Sequence, residues 1–587
     1  MKKAFQSFVS PVGVLGLTLL IYVVLARYGV DPMHDGIMLG AARLVGEGGV
    51  VHRDAFAMYG PLTTWIQALE YRIGGETLLS LRIGSSIALA LAASLTYVSF
   101  RQLFGSVIAI ISVSFWVLSA PFVLRIYDQI PWNSDYVLLF QSVAMFMLVR
   151  TRKFKVGNWA VENVHIVGAL IAAITLSRIS VGLVTTCFIF FDFGVRRKWK
   201  QLASLAIGYL SFWIVVLSIL LVQGSLSEWW FQFVEFPRLR FLVKSGESGL
   251  ESIKSALLIL GIPTSGLLLM ARLGVQHVTE YKNSSVFRAV ASIATTSIVL
   301  LLVFLQGRES LWTPERIFWG LLVSAPLLLI FPPGSPSPST EVILGPPGVM
   351  AVSVGALVQL FPQTDYRHLW WSVLPILGFL IRGLIPKSKS LIATLLATLI
   401  LVFPVTMSAI SDLRDRIESD YFALNNTPIL DGMLVSPEFK GAFADQFALI
   451  NEFQALHGPK TILNICVDGL FATLGIEMDY PDQNFVVWED LNSANLDSTR
   501  VEYVRKKEPI IWYCPGAVSS PNVTNRPAVT EVLPVDYRLV RRSICLDGVG
   551  GFDDWPLMSY VGVPKSWPRI PLEDELINPS RCEGLGG

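Results

Sequence analysis

Apolar residues along this chain fall in long unbroken blocks over the first 410 positions and in short runs after them. About 20 apolar residues at about 1.5 Å rise each carry a helix across a bilayer core. By that measure the pattern predicts thirteen spans, at about 9–27, 83–103, 106–125, 136–150, 162–177, 180–195, 202–222, 254–271, 288–305, 317–331, 343–361, 369–384 and 389–410. The pair at 162–177 and 180–195 is short for two full crossings. Between the first two spans lies a long polar segment, 31–62, reading DPMHDGIMLGAARLVGEGGVVHRDAFAMYGPL. Carboxylates set just outside a hydrophobic span are the usual material for chemistry at a membrane surface.

Residues 411–587 have another character. Asp, Glu, Asn and Pro become frequent, and the periodicity is that of a water-soluble fold. Helical spacing predicts a helix near 439–456. Strand-like runs follow at 461–467, 485–488, 509–513 and 537–540. The expectation is a membrane domain over 1–410 and a small α/β domain over 411–587, long enough for its own core.

Composition agrees with the pattern. Only 16% of residues are charged and 52% are apolar, where a soluble domain carries roughly 25% charged residues. The Lys/Arg bias of short loops sets orientation. Lys2-Lys3, Arg150 to Lys153, Arg196 to Lys198, the loop 272–288 and Lys387/Lys389 share one side if thirteen spans are correct, and that side is the cytoplasm. Asp35, Asp54, Asp128, Asp135, Glu309, Asp365 and the C-terminal domain then face outward. Arg238, Arg240 and Lys244 break the rule on the outer face, where a basic patch meets anionic lipid. The Lys pair and first apolar run resemble a signal peptide, but no clear cleavage site follows, so the first helix is read as retained. A net charge of +1 gives no reason to expect a nucleic-acid partner. Cys187 falls in a span, while Cys466, Cys514, Cys545 and Cys582 fall in the outer domain and permit three pairings.

Nucleotide donors are absent outside the cytoplasmic membrane, and the chain has no Walker motif and no GxGxxG following a strand. A transferase there takes its donor from the membrane. A lipid-phosphate donor requires a carboxylate to deprotonate the acceptor, cations for the leaving phosphate, and a groove for the prenyl chain. Asp35, between His34 and Gly36 just past the first span, is the leading base; its structural alternative is to cap a helix over 37–45. Asp54 precedes an aromatic run ending at Tyr59, and its alternative is to bond its own backbone. Asp128 and Asp135 lie among aromatics in the second outer loop. Arg178, between the two short apolar segments, must be paired or reach solvent, as a phosphate ligand or a snorkelling residue. In the run from Gln359 to Trp371, Asp365 and His368 are three apart and share a helix face.

These features resemble the GT-C fold glycosyltransferases, multi-spanning enzymes that use polyprenyl-phosphate-linked sugars. The likeness rests on the loop acid after the first span, on His52-Arg-Asp-Ala-Phe-Ala-Met-Tyr-Gly-Pro-Leu62, and on Phe361-Pro-Gln-Thr-Asp-Tyr-Arg-His-Leu-Trp370. It is nearest to bacterial members of the protein mannosyltransferase, aminoarabinose transferase and arabinofuranosyltransferase type. The resemblance implies a bacterial cytoplasmic-membrane enzyme with a cytoplasmic N-terminus and an extracytoplasmic C-terminal domain. It implies Asp35 as general base, Asp54 and Tyr59 as shapers of the site, Asp128 as a second acid, and Arg178 or His368 at the donor phosphate. Many members carry paired acids at the first position. Here a single carboxylate stands, a poor divalent site, so a metal cofactor is not expected. The expected reaction is a single displacement with inversion, from a polyprenyl-phosphate sugar to a glycan, lipid or protein acceptor. Two rivals remain, a flippase for lipid-linked sugars, although no internal inverted repeat is visible, and a non-catalytic glycan-binding relative.

Overall fold

The computed structural model of the protein describes residues 10–31, 34–57, 59–126, 129–150, 153–156, 159–235, 346–360, 366–384, 391–419, 421–423, 427–435, 449–465, 508–513, 537–542 and 559–570. Its first helix, α1 (Pro11–Leu25), starts where Ser10 accepts the Gly13 N–H at 3.0 Å and Pro11 supplies a preset φ. The polar segment after it is itself helical. It forms α2 (His34–Gly46) and α3 (Pro61–Gly74), joined by a turn around 50–57. The long apolar blocks then form α4 (Leu78–Phe104), α5 (Ser106–Ile126) and α6 (Asn133–Val149). An antiparallel hairpin, β1 (Lys153–Val156) and β2 (Trp159–Glu162), leads into α7 (Asn163–Ser177), α8 (Ile179–Val195) and α9 (Trp199–Val222). The short α10 (Leu226–Trp230) continues into a single π turn, Phe231–Glu235. Later come α11 (Val349–Ala356), a 3-10 turn Leu357–Leu360, α12 (Tyr366–Leu384) and α13 (Leu391–Glu418).

Ten of the thirteen predicted spans thus coincide with described helices, and those at 254–271, 288–305 and 317–331 lie outside the described residues. By length and composition, α4 and α9 are each long and apolar enough to cross a membrane; α1, α6, α7, α8, part of α5, and α11 with its 3-10 turn are shorter apolar helices. The short pair read at 162–177 and 180–195 is a tight helical hairpin with Arg178 at its tip.

Packing follows from residue size. Helix α4 lies against α1 and α6, α7 against α9, and α13 against α5. Two glycines set the α7–α9 crossing. A Cβ at Gly168 would come 2.1 Å from the Leu205 carbonyl oxygen, and one at Gly208 would come 1.9 Å from that of His165. Small residues at such crossings let helix backbones touch where lipid offers no hydrophobic drive. At the centre, the Trp116 and Trp370 rings stack at 4.5 Å and 3°, and each indole N–H donates to the other's carbonyl, at 2.9 and 3.2 Å. Tyr22 meets both rings edge-on at 6.0 Å. Around the perimeter, Leu210, Ile214, Val215, Leu221 and Val222 of α9 stay exposed, as residues facing lipid do.

Beyond α13 the chain turns back. Strands β3 (Phe422–Ala423) and β4 (Leu434–Val435) pair, and the 427–435 segment docks on the exit of α1. There the Gly29 N–H donates to the Leu434 carbonyl at 2.8 Å, and the Leu434 N–H donates to that of Arg27 at 2.7 Å. Residues 449–457 are helical. A four-stranded mixed sheet has the order β5 (Ile462–Ile465), β6 (Ile510–Tyr513), β8 (Ser559–Pro564), β7 (Tyr537–Arg542), with β5–β6 parallel and the other pairs antiparallel. Three of these strands coincide with predicted runs. The fourth, β8, contains Gly562 and Pro564, residues that read as breakers in sequence. The predicted strand at 485–488, the four outer cysteines and the basic residues 238–244 lie outside the described residues.

Candidate functional site

The first loop is fastened to the bundle by a residue that sequence analysis passed over. Arg82, near the start of α4, is fully buried. Its Nη1 donates to the carbonyls of Ala26, Tyr28 and Gly29 at 3.2, 3.2 and 3.0 Å, and its Nη2 donates to Asp35 Oδ2 at 2.5 Å. Asp35 is 0% exposed. Oδ2 also accepts the Asp31 N–H at 2.8 Å, whereas the buried Oδ1 has no hydrogen-bond partner among the described residues. Burial pushes the Asp35 carboxyl up from 3.8 to about 6, with the Arg82 charge and hydrogen bond pulling against it.

Asp35 does not cap the helix. Asp31 does, its Oδ1 accepting the His34 N–H at 2.8 Å, so α2 starts at His34. Oδ2 of the same carboxylate lies 2.7 Å from His34 Nδ1. Burial raises the Asp31 carboxyl, but the charge and hydrogen bonds of His34, with the Arg367 charge, leave it below its ordinary value.

Four consecutive residues at the start of α6 gather the remaining elements. The Trp132 ring lies 5.1 Å from His34 and 5.3 Å from Tyr59, near-perpendicular to both. The Asn133 amide donates to the Ser177 carbonyl at 3.4 Å. Ser134 Oγ accepts from Arg178 Nη1 at 2.5 Å, and Arg178 also reaches Gln359 Oε1 at 3.3 Å. Asp135 accepts from the Ser85 hydroxyl and, at 2.6 Å, from Trp371 Nε1. His368 stands edge-on to Trp371 at 5.6 Å, and the Arg367 guanidinium lies 5.8 Å from the same ring.

The Tyr59-Gly60-Pro61-Leu62 motif has a mechanical role here. Pro61 opens α3 and Gly60 is its N-cap, pressed onto the end of α7, where a Cβ would fall 1.6 Å from the Leu176 carbonyl oxygen. No other residue fits there. The motif therefore ties Tyr59 to Arg178, two residues beyond Leu176.

Asp35, Tyr59, Arg178 and His368 thus belong to one connected end of the bundle, on the side where 427–435 docks. Asp54 joins none of these contacts. It accepts the Val50 N–H at 2.7 Å, closing its own turn, and pairs with Arg53 at 2.8 Å. Asp128 and Asp365 lie outside the described residues. Sequence reading missed Arg82, Asp31, Trp132, Ser134 and Gln359. Arg82 carried a signal, a cation beside a predicted span; Ser134 and Gln359 carried none. Among the described residues, no group of three or more His, Cys, Asp or Glu side chains gathers as metal ligands.

Residues 59–222 match the family described as dolichyl-phosphate-mannose-protein mannosyltransferase. The resemblance to the GT-C glycosyltransferases is borne out. The matched stretch runs from Tyr59 to the end of α9 and includes Arg82, the α6 hub and Arg178. No curated protein matches the chain by sequence. Among solved structures, the chain is similar to the apo oligosaccharyltransferase of Archaeoglobus fulgidus, at 13% identity over 87% of this chain and 70% of that one, TM-score 0.46. It is also similar to ArnT of Cupriavidus metallidurans bound to undecaprenyl phosphate, at 11% identity over 95% and 99%, TM-score 0.39. A third is the Archaeoglobus fulgidus oligosaccharyltransferase AglB in complex with an inhibitory peptide and a dolichol-phosphate, at 11% identity over 86% and 69%, TM-score 0.45.

Proposed function

We propose that this protein is a membrane glycosyltransferase that moves a sugar from a polyprenyl-phosphate donor to a cell-envelope acceptor on the extracytoplasmic face. Residues 1–410 form the catalytic membrane domain, with the N-terminus in the cytoplasm, and 411–587 form an extracytoplasmic domain. The observation that carries this reading is the hub at 132–135. It joins the loop acid helix α2, the Tyr59 motif, the buried cation Arg178 and Trp371 of α12, on which Arg367 and His368 pack, within and around a segment matching the mannosyltransferase family.

In this mechanism Asp35 is the general base. Its unpartnered Oδ1 takes the proton of an acceptor hydroxyl as that oxygen attacks the anomeric carbon opposite the phosphate. The C–O bond to phosphate breaks, the configuration inverts, and polyprenyl phosphate leaves with its charge facing Arg178 or His368. A positioned base contributes about 10²–10⁴-fold.

The complete burial of Asp35 against Arg82 favours a second reading of that residue as a strut. One experiment separates the two. Wild type and Asp35→Asn, in lipid nanodiscs with a panel of polyprenyl-phosphate sugars, are assayed for release of polyprenyl phosphate and for thermal unfolding. Loss of turnover by about 10²–10⁴-fold at an unchanged melting temperature identifies the base. Loss of both identifies a strut. Relocation of donor across the bilayer without its consumption identifies a flippase. EDTA is expected to leave turnover unchanged, because Arg82 already occupies Oδ2.

A further inference from the structure

Beside Asp35 sits a side chain that this mechanism leaves unused. Asp31 holds His34 twice, through its backbone N–H and through Nδ1. A carboxylate on Nδ1 fixes the ring's orientation and leaves Nε2 as the open edge. Among the described residues no protein group bonds that Nε2, and the His34 side chain is 30% exposed. The ring borders Trp132, which is 7% exposed, yet its buried Nε1–H finds no acceptor among the described residues. Buried indole N–H groups ordinarily have a partner. Tyr59 also lies edge-on to the same indole, at 5.3 Å.

We propose that His34 Nε2 and Trp132 Nε1 bind hydroxyl oxygens of the acceptor, and that the acceptor is a carbohydrate. The inference rests on the transferase reading and names the substrate class of its acceptor side. Its argument is a matching of groups. The indole only donates, the imidazole edge donates or accepts, and Asp35 Oδ1 only accepts when ionised. His34 and Trp132 are in contact, and two such atoms side by side, with the attacking oxygen to be held as well, call for several hydroxyls on one rigid frame. A sugar ring carries them, and its C–H faces suit the aromatic walls of Tyr59 and Trp132. A serine or threonine side chain carries one hydroxyl, and the attacking oxygen uses it.

The test uses the full-length protein in nanodiscs with a donor it turns over. The acceptor probes are methyl α-mannopyranoside, methyl β-galactopyranoside, methyl α-arabinofuranoside and a serine-containing hexapeptide. Transfer to at least one glycoside and not to the peptide is expected. Trp132→Phe keeps the ring and deletes the N–H. His34→Asn keeps a group for Asp31 and deletes the Nε2 edge, whereas His34→Gln restores an amide where Nε2 stood. The first two are expected to raise the glycoside KM about threefold to tenfold each, the value of one hydrogen bond, with kcat and donor KM nearly constant; His34→Gln recovers part of the loss. A purely structural role for the His34–Asp31 tether predicts no change in His34→Asn. Transfer to the peptide alone, or an unaltered glycoside KM in both variants, overturns the inference while leaving the transferase standing. No release of polyprenyl phosphate by wild type from any donor sinks the transferase reading and this inference with it.

Discussion

Burial against Arg82 gives the Asp35 carboxyl a pH response of its own. In the proposed role Asp35 is a base only when ionised, and burial pushes its carboxyl up to about 6. Activity is therefore expected to fall about tenfold per pH unit on the acid side of that value, measured as kcat/KM across a pH series. Stability moves the other way. The folded state binds this proton more tightly than the unfolded chain, whose Asp titrates near 3.8. The group's favourable contribution is thus present in full below that value and lost as pH rises through about 6. Asp35→Asn flattens that part of both profiles. Arg82→Met leaves a buried carboxylate without its cation, at a cost of about 3–5 kcal/mol. The double variant Asp35→Asn/Arg82→Met is expected to recover part of it, which a double-mutant cycle of unfolding midpoints would read.

Helix positions in this protein depend on a few sites of backbone contact. Gly60 is the clearest, since α3 begins where its backbone meets the end of α7. Gly60→Ala is expected to cost about 1–3 kcal/mol by overpacking and to lower turnover, because Tyr59 and Arg178 shift relative to Trp132 and Ser134. Gly16→Ala on α1 is the control. Nothing among the described residues lies within 4 Å of its Cβ position, so turnover should not change and the unfolding midpoint should hold or rise slightly, alanine being the better helix former. In the C-terminal unit, Trp567 stacks on His457 at 4.0 Å and is 8% exposed. That tryptophan is core, packed against Phe453 and His457 of the helix at 449–457.

The whole chain has a sidedness that its contacts fix. Backbone bonds between 27–29 and 432–434 put the exit of α1 and the segment after α13 on one face. Arg196, Arg197 and Lys198 follow α8, at the end of that helix opposite Arg178. Alkaline phosphatase fused after Gly48 or Ser419 is expected to be active in intact cells, and after Arg197 inactive. The reverse pattern would invert the topology.

Hydrophobic blocks written in the sequence determined the long apolar helices, because a span needs only length and composition, both local properties; α2 and α3, in the polar segment, were not among them. The loop acid, the Tyr-Gly-Pro-Leu motif and the buried Arg178 were legible for the same reason, as polar or special residues set against an apolar background. Tertiary structure alone decided what each of them touches. Asp35 lies beside Arg82, 47 positions away, and Arg178 reaches Gln359, 181 positions away. Asp54, which resembles Asp35 in local context, instead closes a turn. Partner choice depends on how helices cross, and those crossings are set by close contacts such as Gly60 on Leu176 and Gly208 on His165, which no local pattern encodes.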